Sequence, residues 1–293
     1  MSPGLSPAAM LLIVVAAVAH AGWNLSAKRA GGGAVFAWLY LAASMVLLVP
    51  AAVLDLMLGR QHPSWVWLGA ASVSGLLELA YFLLLRRGYA VGDMSVVYPL
   101  ARGTGPLLSV LAAVLLFGER LSAMALAGAG AVVAGVVVIG SGRSGDAGQH
   151  PGRNLRSLGY ALATGATIAA YTLWDANAVT TLGVPPLIEF AGGTVVQVLA
   201  MTPYALLRRR SLPELWRAHR VDALVIAVLS PLAYVLVLYA MRIAPVALVA
   251  PARELSIVVG GVIAWRVLGE PRPVRRLTGS VIVLAGVVAL ALS

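Results

Sequence analysis

The chain has 293 residues, 60% of them apolar and 11% charged, with a mean hydropathy of +0.92. A soluble domain averages about 45–50% apolar and about 25% charged, so this composition cannot build one water-facing surface and reads as an all-α integral membrane protein. The net charge of +10 comes from 20 Arg and one Lys against 11 acids; most of it falls between apolar runs, where arginine sets topology and meets lipid headgroups, so a lipid bilayer and not nucleic acid is the expected partner.

Roughly 20 apolar residues cross a bilayer as a helix. Apolar stretches bounded by Gly, Pro or Arg predict ten spans. The first five run from about Ala8 to Ala27, Ala34 to Leu58, Trp65 to Leu85, Met94 to Phe117 and Ser122 to Ile139. A polar, glycine-rich segment, 141–157, follows as the expected linker between a first repeat, 1–140, and a second, 158–293. The second five run from about Leu158 to Ala178, Pro185 to Leu207, Asp222 to Met241, Pro245 to Leu268 and Val274 to Leu292. The first stretch lacks the basic start of a signal peptide and continues past Ala17-Val18-Ala19, so it is expected as a retained helix.

A lag of 151 residues superposes Trp23 on Trp174, Ala101-Arg102 on Ala252-Arg253, Gly118-Glu119 on Gly269-Glu270, Gly128 on Gly279 and Gly135 on Gly286. Trp, Arg and Glu are scarce here, so those pairs carry the repeat. Five spans per repeat is an odd number, which predicts two inverted five-helix repeats of ten transmembrane helices, with a solute held near the midplane between them.

With Pro99 to Ser122 (PLARGTGPLLSVLAAVLLFGERLS) in one repeat and Pro251 to Pro271 (PARELSIVVGGVIAWRVLGEP) in the other, the chain resembles EamA-domain members of the drug/metabolite transporter superfamily. The resemblance covers nearly the whole chain. It implies a ten-helix carrier with a central cavity, an exporter of amino acids, other metabolites or drugs, in the plasma (inner) membrane with both termini inside. The charge count points the other way on orientation. Fifteen Lys and Arg follow odd-numbered spans and three follow even-numbered ones, which puts both termini outside.

An ionised side chain at the bilayer centre costs at least about 2.5–3.5 kcal/mol on insertion scales. Glu78 lies midway along the third span, Arg102 a third of the way into the fourth, and Arg253 and Glu254 at the matching depth of the ninth. The pseudo-axis brings Arg102 and Arg253 toward one space. One reading is bidentate binding of a solute carboxylate or phosphate; the other is ion pairing that locks helices, for instance Arg102 with Glu78. Glu78 and Glu254 are also candidates for carrying a coupling proton, and His20 for relaying one, with packing as the plainer role of His20. Tyr81, Tyr98 and Tyr234 offer ring and hydroxyl to a solute. Asn24 and Asp175, which follow Trp23 and Trp174, read as cavity-mouth residues or as interfacial caps and belt tryptophans. Glu189 reads as a first-turn acid of its helix and is kept out of the site. Glu119 and Glu270 read as caps of the fifth and tenth spans, with a salt bridge that closes one gate as the alternative. Pro99, Pro106, Pro245 and Pro251 are expected to bend spans four and nine.

Gly128 with Gly135 and Gly279 with Gly286 form small-residue stripes for close packing, with a homodimer through that face as a further expectation. Without Cys, with four scattered His and with no GxxxxGK[ST] loop, neither metal, cofactor nor ATP hydrolysis is expected, and no nucleophile and base recur for an enzyme. The reading is a secondary active exporter of a small metabolite, an amino acid or other carboxylate, by alternating access. The alternatives are a multidrug exporter of hydrophobic cations, a lipid-carrier flippase subunit and a non-transporting scaffold.

Overall fold

The computed structural model describes residues 5–31, 33–59, 62–91, 94–140, 151–268 and 274–293. All regular structure among them is helical: α1 (Pro7–Arg29), α2 (Ala34–Gly59), α3 (Trp65–Val91), α4 (Met94–Leu116), α5 (Ala123–Gly140), α6 (Pro151–Thr180), α7 (Pro186–Leu207), α8 (Leu212–Ile243), α9 (Val246–Ala252), α10 (Leu255–Leu268) and α11 (Val274–Leu292), with a 3₁₀ turn at Arg209–Ser211. Local chemistry sets several ends. Ser6 caps α1, its Oγ accepting from the Ala9 amide at 3.2 Å, and Pro7 opens the helix where a missing N–H costs nothing. Lys28 and Arg29 close α1 at the negative end of its dipole.

By length and composition, six described stretches are apolar enough to cross a membrane: Pro7–Arg29, Ala34–Gly59, Trp65–Val91, Pro186–Leu207, Arg209–Ile243 and Val246–Ile263. Leu100–Leu116, Ala123–Ile139 and Leu277–Leu292 are apolar but shorter. Helix α6 begins at Pro151, so the last part of the expected linker, 151–157, is helix, while 141–150 lie outside the described residues.

The packing is symmetric on exchange of the repeats. Helix α1 packs on α8 as α6 packs on α3, α4 packs on α6 as α10 packs on α1, and α2 packs on α7 and α5 on α11 across the axis itself. Equivalent helices run antiparallel. A Cβ on Gly128 would meet the Gly286 carbonyl oxygen at 2.9 Å, and one on Gly135 the Gly279 carbonyl oxygen at 2.8 Å, so residue numbers rise on α5 as they fall on α11. The glycine stripes thus occupy one another inside one chain, which removes the ground for a homodimer through that face. The outer surface is apolar, with Leu58, Leu115, Leu207 and Val221 exposed, whereas Arg102, Asp175, Glu189, Arg253 and Glu254 are buried. Charge inside and hydrocarbon outside is the reverse of a soluble fold and suits a bilayer.

Two spans depart from simple helices. Span nine divides into α9 and α10 at Arg253-Glu254, which are held by short-range bonds such as Glu254 N–H to the Pro251 carbonyl at 3.0 Å. Pro251 has no N–H to give and its ring crowds the preceding turn, as expected. Helix α4 instead runs unbroken through Pro106. Helix α8 kinks at His219, where φ and ψ are −130° and 20°, setting its exposed basic start apart from the long apolar part.

Candidate functional site

The break in span nine places Arg253 at the centre of the bundle, 6% exposed. Its guanidinium carbon lies 5.9 Å from the ring centroid of Tyr171 on α6 and 6.0 Å from that of Tyr234 on α8. The rings continue as a row, Tyr81 to Tyr171 at 5.8 Å, Tyr171 to Tyr234 at 6.0 Å and Tyr234 to Phe190 at 5.3 Å. Four helices, α3, α6, α8 and α7, contribute one ring each. Nε of Arg253 makes no hydrogen bond among the described residues, and no described carboxylate lies within ion-pair distance of the side chain.

Arg102, the repeat equivalent, sits differently. Its Nε is 3.2 Å from Oε2 of Glu254 and its Nη2 donates to Ser256 Oγ at 3.5 Å. The lag of 151 explains the asymmetry: Glu254 and Ser256 correspond to Gly103 and Gly105, so a pair that Arg102 finds in the second repeat has no counterpart for Arg253 in the first. The ion-pairing role is therefore real for Arg102, with Glu254 and not Glu78 as its acid. Glu78 accepts instead from Gln197 Nε2 on α7. That contact depends on the close approach of α3 and α7 at Gly75 and Gly193, where a Cβ on Gly75 would strike the Gly193 backbone.

Asp175 is fully buried; Tyr234 OH donates to its Oδ2, and its Oδ1 has no partner among the described residues. Asn24, its equivalent, donates to the His20 carbonyl of its own helix at 2.9 Å and so is engaged locally. His20 stacks edge-on against Trp23 at 4.9 Å and lies within electrostatic reach of both guanidiniums. Trp23 packs with Phe36, Ala223 and Ile226, and Trp174 donates its Nε1 hydrogen to the Ala70 carbonyl at 2.9 Å, so both tryptophans hold helices together. The Tyr98 side chain and Glu270 lie outside the described residues.

Three positions escaped the sequence reading. Tyr171 is the repeat equivalent of His20, a singled-out residue, and the lag could have found it. Gln197 had no signal of its own. Glu189, read as a first-turn acid and kept out of the site, is fully buried with both carboxylate oxygens unbonded among the described residues. Its neighbours Val184, Pro185, Pro186, Leu187 and Ile188 carry no polar side chain, and that was the available sign of depth.

Glu119 also differs from expectation. It caps α9 of the other repeat, taking the Val246 and Ala247 amide hydrogens on its two oxygens at 2.9 Å each, and Gly118, with φ of 66°, makes the turn that aims it there. The fifth span is capped by Ser122, whose Oγ accepts from Ala125 at 3.0 Å. A pocket of about 330 Å³ beside Glu119 is lined by Phe117, Thr180, Thr181, Met241, Ala244 and Val246. Its one charged group is already occupied, which makes it a poor solute site.

The EamA-like transporter family matches the chain over residues 7–141 and 155–292, once per repeat. No curated protein matches it. A protein of known crystal structure shares the fold, with a TM-score of 0.78 at 19% identity over 97% of this chain and 96% of that one. The repeat, the all-helical bundle and the two family matches agree, and the chain belongs to the EamA-like transporter family, membrane transporters of the drug/metabolite type.

Proposed function

We propose that the chain is a secondary active exporter in the plasma membrane, ten helices inserted as two opposite quintets, and that it carries a small carboxylate-bearing metabolite such as an amino acid. One observation carries this reading: Arg253 is buried over Tyr171 and Tyr234 with no carboxylate within ion-pair distance among the described residues. A guanidinium so placed presents a fork of donors to a planar anion, and the tyrosine faces accept an apolar or aromatic body beside it. Asp175 and Glu78, on the far side of the tyrosines, suit the ammonium group of a zwitterion. Alternating access between the repeats would deliver that site to either side of the membrane.

Uptake into proteoliposomes of labelled amino acids, organic acids and cationic dyes tests the reading. Carboxylate-bearing solutes are expected to accumulate, and Arg253→Gln to lose about 2–3 kcal/mol of binding, raising KM about 30-fold to 150-fold while sparing any dye flux. Dye transport without carboxylate transport would instead favour the hydrophobic-cation exporter, for which the acids and rings around Tyr234 are the supporting feature.

A further inference from the structure

We propose that Glu189 is the site of the coupling proton, an inference that rests on the transporter reading above. Among the described interior carboxylates, Glu254 is paired with Arg102, half-buried Glu78 is bonded to Gln197 and Asp175 to Tyr234. Glu189 is 0% exposed with neither oxygen hydrogen-bonded to a described group; the Glu254 oxygens also make no hydrogen bond, but Oε2 lies 3.2 Å from the Arg102 guanidinium, whereas no described cation lies within ion-pair distance of Glu189. A carboxylate so placed carries an uncompensated charge unless a proton or a cation joins it. No three described His, Asp or Glu side chains converge there, and a proton neutralises the carboxylate without further ligands.

Position supports the role. Glu189 sits in the first turn of α7, within about one helical turn of the connection from α6, close to one face of the bundle. Within electrostatic reach of it lie Asp175 on α6 and Glu78 on α3, and Tyr234 on α8 stands behind its chain neighbour Phe190. Asp175 lies next inward, hydrogen-bonded to a tyrosine of the solute site. When that face opens, water reaches the carboxylate and the positive end of the α7 dipole stabilises its ionised form, so the proton leaves to water on that side; when the other face opens, a proton from water on that side is taken up by the same carboxylate. The solute site and the proton site then share Asp175 and Tyr234 as their contact.

Dicyclohexylcarbodiimide, which modifies protonated carboxyls in apolar surroundings, reads the proton directly in the purified full-length wild type. Peptide mass spectrometry is expected to find the adduct on Glu189, decreasing as the pH is raised, and none on Glu254. No adduct on Glu189 at any pH, or one indifferent to pH, overturns the proposal. In proteoliposomes loaded with a radiolabelled amino-acid mixture, Glu189→Gln is expected to keep counterflow but to lose gradient-driven accumulation, which coupling to one proton at 100 mV would hold at roughly fifty-fold. Undiminished accumulation in Glu189→Gln also overturns it. Absence of counterflow in the wild type would sink the amino-acid reading alone, because the adduct still decides the role of Glu189.

Discussion

Arg102 and Arg253 look alike in the sequence, yet the fold gives them different work. Arg102 and Glu254 form a buried pair whose charges depend on each other. Arg102→Gln leaves Glu254 alone in the interior, a loss of about 3–5 kcal/mol, whereas adding Glu254→Gln removes both charges and costs far less. Thermal unfolding followed by tryptophan fluorescence should therefore show a fall of about 10 °C for the single variant and recovery in the double. Equal falls in both would mean that the pair contributes nothing. The depth of these residues was legible in the sequence because a rare charge in an apolar run needs a reason. Which arginine was paired was legible only in part, through Gly103 and Gly105 facing the lag of Glu254 and Ser256. Glu189 was not legible by helix-terminus rules, because its first turn sits inside the protein instead of at water.

At the scale of helices, most ends fall within a few residues of the expected ones, since hydropathy and Gly, Pro or Arg boundaries fix where an apolar helix starts and stops, but α3 runs on to Val91, α6 begins at Pro151 and α8 at Leu212, because a helix continues beyond its apolar part. Two features escaped that pattern: the division of span nine and the kink in α8, which follow from local backbone chemistry at Pro251 and His219. Close packing of α5 and α11 is one of the tight contacts between the repeats. A Cβ on Gly135 would meet Val283 Cγ2 at 2.7 Å and the Gly279 carbonyl oxygen at 2.8 Å. Gly135→Ala should cost about 1–3 kcal/mol, lowering Tm in detergent by several degrees, while Gly130→Ala, with open space around its Cβ, should leave Tm unchanged or slightly raised. Similar Tm values for the two variants would contradict this contact. Glu119 adds a polar tie between the same repeats, fixing the start of α9 from the α4–α5 turn.

For the molecule as a whole, antiparallel equivalent helices and the exchange symmetry of packing make two opposed halves around Arg253. The face opposite the termini carries the exposed Arg208, Arg209, Arg210, Arg217 and Arg220. By the positive-inside rule that face is cytoplasmic, so a reporter active only in the periplasm should work when fused after Ser293, and activity of a cytoplasm-only reporter there would reverse the assignment. Alternating access requires that one buried site be reached from both faces in turn. The chain has no cysteine, so Tyr81→Cys, at the edge of the tyrosine row, gives a single thiol without further changes. Labelling of that thiol by a membrane-impermeant maleimide, added separately to each side of sealed proteoliposomes of uniform orientation, tests that requirement most directly. Reaction from both sides is the predicted result; reaction from one side only under every condition, or from neither, would contradict it.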